Sequence, residues 1–165
     1  MKRLFGVGLL LCLVVLTTGI CHAQFTARDF YGKTIYMVDM THRMVFQMQF
    51  LETGVLQTTI IKPNVHQIGE RFWSVKFGRL VIVPNRFQCP GCGNDEYFEI
   101  LNDDPAERVY TVARKLIQGD VIWQRVVAFY YDQVTGYMQA VEVFENIPAR
   151  VEQNNNGRNY GSTGS

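Results

Sequence analysis

Met44-Val45-Phe46-Gln47-Met48-Gln49-Phe50-Leu51, followed by Thr53-Gly54 and then by Val55 to Ile61, is the stretch on which the fold turns. Met44, Phe46, Met48 and Phe50 alternate with Val45, Gln47, Gln49 and Leu51, and the two glutamines mark the polar side. A repeat of two residues places alternate side chains on opposite faces of a strand, whereas a helix would repeat near 3.6. Glycine in the short connection supplies the positive φ that hairpin turns require, so the pair reads as a β-hairpin.

The same period runs outward in both directions. Lys62-Pro63-Asn64 ends the first hairpin, and Arg71 to Lys76, a turn at Phe77-Gly78 and Arg79 to Val83 form a second, closed by Pro84-Asn85. Glu96 to Leu101 reads as a strand ended by Asn102-Asp103-Asp104-Pro105. Val109 to Ile117 and Val121 to Tyr131 flank Gln118-Gly119-Asp120, and Tyr137 to Phe144 follows a turn over Asp132 to Gly136 as a further strand. With Thr34 to Val38 the count is eight or nine. No long segment carries a helical stripe; within Ala106 to Lys115, Val109-Tyr110-Thr111-Val112 favours a strand. Short strands with turn signals between them predict an all-β fold, an antiparallel up-and-down barrel or sandwich of about eight strands. Closure into a barrel removes exposed strand edges.

Both ends of the chain differ from this middle. Lys2 and Arg3 precede an apolar run from Leu4 to Leu16, and Cys21-His22-Ala23 offers small residues before Gln24. These are the features of a cleavable signal peptide, with cleavage expected after Ala23. The run is too short for a spanning helix, which needs about 20 apolar residues. Lipidation at Cys21 is the other reading, but Ile20 occupies the place where a small residue is expected. The domain order is therefore a signal peptide over 1–23, one β-rich domain over 24–151 and a tail over 152–165. The tail is rich in Asn, Gly and Ser, has little to bury and is expected to be disordered. The mature chain is placed outside the cytoplasm, secreted or periplasmic, with no membrane span. Loss of Lys2 and Arg3 moves the formal charge from +1 to −1. Such a balance leaves no electrostatic footprint for nucleic acid.

Cys89-Pro90-Gly91-Cys92-Gly93 is the sharpest local motif. In an oxidising compartment a Cys89–Cys92 disulfide that rigidifies a loop is the leading reading. Redox chemistry is a second, but such motifs normally open a helix after a strand, and here a strand follows. Zinc held by Cys89, Cys92, His42 and His66 is a third and needs separate hairpins to converge. A pair of free thiols is the fourth.

Enzymatic readings find no support. Before the tail the mature chain has one serine, Ser74, mid-strand and without an elbow motif. Glu96 and Glu99 fall on opposite faces of a strand, as do Glu142 and Glu145, so neither pair forms an acid and base. No glycine-rich phosphate loop precedes a helix. The expectation is a non-enzyme without a cofactor, a catalytic residue or a metal.

Aromatic residues are more numerous than a small core requires. Phe129-Tyr130-Tyr131 places rings on both faces of one strand, so one face is expected to be covered by a partner or to line a pocket. Gly32-Lys33-Thr34, Phe46 to Phe50 with its Thr-Gly turn, and Phe72-Trp73-Ser74-Val75-Lys76-Phe77-Gly78-Arg79-Leu80-Val81-Ile82 are similar to the meander of small lipocalin-like proteins. Thr34 stands at the place of that family's opening tryptophan. The resemblance implies a calycin-type barrel whose interior holds one small apolar ligand. Two functions follow. One is an exported interaction module that docks another protein, or itself, through Phe129, Tyr130 and Tyr131. The other is a carrier with Phe46, Met48, Phe50, Trp73 and Trp123 lining the ligand site.

Overall fold

The computed structural model describes residues 23–87, 93–118 and 121–148. Eight strands follow one another: β1 (Thr34–Asp39), β2 (Met44–Phe50), β3 (Val55–Lys62), β4 (His66–Lys76), β5 (Arg79–Pro84), β6 (Asp95–Asp104), β7 (Val109–Gln118) and β8 (Val121–Tyr130). Each pairs antiparallel with the next, and β8 returns to β1, so the sheet closes into a barrel in sequence order. This is the expected all-β architecture, and the barrel form is compatible with a lipocalin-like fold.

Turn chemistry follows the sequence closely. Phe77 and Gly78 both take positive φ, 52° and 73°, which is the two-residue turn whose twist matches the flanking strands. The side-chain period of two sorts the residues in turn. Ile35, Met37, Phe46, Met48, Phe50, Leu56, Trp73, Leu80, Ile82, Phe98, Val112, Val127 and Phe129 form one buried interior cluster. Val38, Val45 and Ala128 lie on the outer face.

One end of the barrel is closed by the chain's own N-terminal segment. Phe25 donates its backbone N–H to the Gly78 carbonyl at 3.1 Å, and a short 3-10 turn follows at Ala27–Asp29. Asp29 holds that turn by accepting from the Thr26 backbone N–H at 2.6 Å and its hydroxyl at 3.0 Å. Phe30 then inserts beside Phe50 and Trp73, with ring centroids 4.8 Å and 5.9 Å apart. The Trp73 indole N–H is satisfied by the Leu51 carbonyl at 3.0 Å.

The expected strand over Tyr137 to Phe144 is corrected: Gly136–Asn146 is an α-helix, here α1. β8 has already paired with β1 through Ala128, Phe129 and Tyr130, so the edge beside the start of the helix is taken. Gly136, Ala140 and Phe144 recur every four residues and lay one helix face against Val38, Val45 and Ala128. Gly136 is needed for this approach, because a Cβ there would meet the Tyr36 ring at 3.2 Å and the Tyr130 carbonyl oxygen at 3.3 Å. Asp132 starts the helix by accepting from the backbone N–H groups of Val134 and Thr135, at 2.8 Å and 2.6 Å, while pairing with Arg108. These bonds from the Thr135 backbone, Arg108 and Val134 hold its carboxyl well below the usual range. The helix is the only one described besides the 3-10 turn and is too short to cross a membrane. The expected signal peptide up to residue 22, with Cys21, and Cys89, Cys92 and the expected tail lie outside the described residues.

Candidate functional site

The barrel interior changes character along its axis. Near the N-terminal segment it is apolar and packed. Toward the other end, five strands each place one charged residue on the inner face. Glu96 lies two residues from Phe98, Arg114 two from Val112, Arg125 two from Val127, Asp39 two from Met37 and Arg71 two from Trp73. In each case the period of two that buries the apolar neighbour also turns the charge inward.

These groups are joined in one network. Glu96 accepts from Arg71 through one carboxylate oxygen and from Arg114 Nε through the other at 2.9 Å. Arg114 reaches across to Asp39 at 3.5 Å, and its guanidinium lies over the rings of Phe46 and Phe98 at 5.9 Å and 6.0 Å. Arg125, directly opposite Arg114 across β7 and β8, also lies 3.5 Å from Asp39. Two arginines facing each other repel, and Asp39 between them offsets that repulsion. His42, in the β1–β2 turn, places Nδ1 3.0 Å from Asp39 and 2.9 Å from Arg125. With a proton on Nδ1 it donates to Asp39; without one it accepts from Arg125. Asp39 further accepts from the backbone N–H groups of Thr41 and His42 at 3.0 Å and 3.1 Å. Burial pushes the Asp39 carboxyl up, but the hydrogen bonds from His42 and the Arg114 charge outweigh it and hold the carboxyl below its ordinary value.

Solvent access within the network is uneven. The side chains of Asp39 and Glu96 are 1% and 4% exposed, whereas those of Arg71 and Arg125 are 22% and 28% exposed. Strand β4 is paired on both sides at Arg71, so water reaches that guanidinium through the open end of the barrel. Three guanidinium groups stand against two carboxylates in this layer, His42 aside. Above this layer the rim carries Met44, Ile60 and Ile68, partly buried, and Trp123, 55% exposed on the inner face of the projecting β7–β8 hairpin.

The residues expected as ligand lining divide accordingly. Phe46, Met48, Phe50 and Trp73 are brought together in the interior cluster, while Trp123 stands apart at the rim, opposite Leu116. Of the expected docking residues, Phe129 is wholly buried inside the barrel. Tyr130 packs outside under α1, and Tyr131 stacks on Tyr110 with ring centroids 4.5 Å apart. The two-sided aromatic pattern of this strand is thus met by the chain's own interior and its own helix. His66 is exposed at the start of β4, in register with Ile60 of β3, and shares no hydrogen bond with the His42 network among the described residues. Among the described residues no group of three or more His, Cys, Asp and Glu side chains is placed to hold a metal ion.

Asp39, Arg71, Glu96, Arg114 and Arg125 were not expected as a site. The available signal was phase: each charge sits in step with the apolar face of its strand rather than with the polar one. Comparisons of the chain with family models, with curated proteins and with solved structures found no match.

Proposed function

We propose that the protein is an exported, non-enzymatic barrel that binds a small molecule at its open end, in the manner of calycin-type carriers. One observation carries this reading: the two ends of the barrel are unlike. Phe25 and Phe30 stop one end with apolar side chains, while the other presents a charged layer beneath a partly apolar rim. A barrel stabilised only by its own packing has no need of buried ion pairs, which contribute little net stability against apolar replacements. Export is supported by the seating of Phe25, buried two residues beyond the expected cleavage point after Ala23.

Native mass spectrometry of the protein purified from an exporting host tests the proposal. The expected result is a start at Gln24 and an adduct of one small organic molecule, released on unfolding. A bare mass, together with no saturable binding of the neutral probe N-phenyl-1-naphthylamine, refutes it.

A second reading, docking of another exported protein or of a second copy, is favoured by the β7–β8 hairpin. Ile122 and Val126 are exposed on its outer face, and β8 pairs with β1 only through Ala128, Phe129 and Tyr130. An exposed apolar strand with an unpaired edge is a template for strand addition. This reading expects concentration-dependent association that Ile122→Lys abolishes, and a monomer at all concentrations with no partner in pull-downs counts against it.

A further inference from the structure

We infer that two copies of this chain associate edge to edge, β8 pairing antiparallel with β8 of the second copy about a two-fold axis at Gln124. The inference rests on the second reading above, docking through the β7–β8 hairpin, and names its occupant and register.

The open edge is specific to one place. β7 pairs with β8 along the whole of Val121–Tyr130, but β1 takes the other side of β8 only at Ala128, Phe129 and Tyr130. β1 ends one residue further on, at Asp39, level with Val127. Among the described residues no loop backbone or side chain bonds to the backbone of residues 122–126 on that side. The matching edge of β1 is treated differently. Where its pairing with β8 stops at Tyr36, the Gln133 side-chain amide donates to the Thr34 carbonyl at 2.9 Å and accepts from the Thr34 backbone N–H at 3.3 Å. One edge is thus capped within the chain and the other is left open. No proline, lysine or bulge interrupts residues 121–126 to blunt it. Ile122, Trp123 and Val126 are 64%, 55% and 47% exposed along it.

The chemistry of the edge selects a second copy as its partner. A two-fold axis perpendicular to an antiparallel sheet sets residues of the same face opposite each other, and every contact occurs twice. With Gln124 on the axis, Ile122 faces Val126 of the second copy on the outer side. On the inner side Trp123 faces Arg125 of the second copy. Apolar side chains meet there, a guanidinium meets an indole ring, and two amides face each other with donors and acceptors on both. Lys115, beside Gln124 on β7, already has Glu99 at 3.4 Å. The neighbouring registers are poorer. An axis at Trp123 sets Ile122 against Gln124 and Val121 against Arg125, and an axis at Arg125 opposes two guanidinium groups. A stable interface buries about 800 Å² per partner, and five paired residues are a short edge, so a concentration-dependent dimer is expected rather than an obligate one.

Sedimentation equilibrium of the mature protein, combined with disulfide trapping, tests the inference. The unaltered protein, which carries Cys89 and Cys92, serves as the blank for trapping. Directly opposed Cα atoms of antiparallel strands lie about 4.5–5.5 Å apart, within reach of a disulfide, so Gln124→Cys is expected to trap a dimer under mild oxidation. Val126→Cys is the control on the same face: the two copies of residue 126 are four positions out of register, about 13 Å apart, too far to bridge. Ile122→Lys is expected to weaken association at least about tenfold, since the substitution falls twice in the interface. Association without trapping at Gln124→Cys, or with equal trapping at Val126→Cys, overturns this pairing and leaves docking of a second copy standing. A monomer at every concentration also overturns it, and the docking reading then survives only through another exported protein whose binding Ile122→Lys abolishes. A monomer with no such partner overturns both. The equilibrium of the unaltered protein is read without any variant, so the inference stays refutable even where a variant fails to fold.

Discussion

Replacing Phe30 by alanine tests the claim that the segment just after the expected cleavage point is a structural stopper rather than a loose arm. Phe30 is 0% exposed and touches three other rings: Phe25 at 5.0 Å, Phe50 at 4.8 Å and Trp73 at 5.9 Å between centroids. Truncating a buried phenylalanine costs about 3–5 kcal/mol through lost transfer energy and the cavity left behind. The neighbours are poorly placed to fill that cavity. Trp73 is tethered through its indole N–H to the Leu51 carbonyl, and the Phe25 backbone is tethered to Gly78. Lost edge contacts between aromatic rings add about 0.5–1.5 kcal/mol. A loss of about 4 kcal/mol is therefore expected, read as a lower urea midpoint with an unchanged slope. Phe87→Ala serves as control: Phe87 is 97% exposed and should change stability by less than about 0.5 kcal/mol. A loss below about 1 kcal/mol for Phe30→Ala would refute the reasoning, because it would mean the N-terminal segment does not close the barrel.

Three further outcomes follow from local physics. Phe77→Asn is expected to stabilise the protein by about 0.5–1 kcal/mol in the same denaturation assay, because Phe77 holds φ 52° in the turn while its side chain is 98% exposed; a loss of stability would contradict the turn assignment. The lowered carboxyl of Asp39 contributes stability that is fully present above its unfolded value of about 3.9 and is lost as pH falls through the lower folded value. The stability gap between the native protein and Asp39→Asn should accordingly narrow below about pH 4, and a gap independent of pH down to the acid transition would show that the network does not favour the charged form. Burial, with the nearby charges of Asp29 and Asp103, pushes the Tyr110 hydroxyl up to about 12, so its stabilising effect is intact below about pH 10 and fades as pH rises toward 12. Ultraviolet titration should show a tyrosine component near 12 that Tyr110→Phe removes, and an unchanged titration curve would count against it.

Strand positions were legible in the sequence because the evidence for them is local. Met44 to Phe50 shows its period of two within seven residues, and Phe77-Gly78 marks its own turn. The Tyr137 to Phe144 stretch was not legible in the same way, since Tyr, Val and Phe favour strands when taken one at a time. Its helix forms because Gly136, Ala140 and Phe144 find an apolar outer patch on β1, β2 and β8, and that patch exists only once the barrel has closed. Tertiary packing here outweighs intrinsic propensity.

The site divides along the same line. Phase along each strand suffices to turn Asp39, Arg71, Glu96, Arg114 and Arg125 inward, so their orientation was present in the sequence without being used. Which of them meet was not present. Asp39 and Arg114 are 75 positions apart and come within 3.5 Å only because β8 closes against β1. The sequence by itself determined the alternation, the turns and the inward direction of each charge, since these depend on neighbours a few residues away. The tertiary structure alone decided the closure, the covering of Tyr130 by α1 and the joining of five distant charges into one layer, since strand pairing is a contact between residues that the chain keeps far apart.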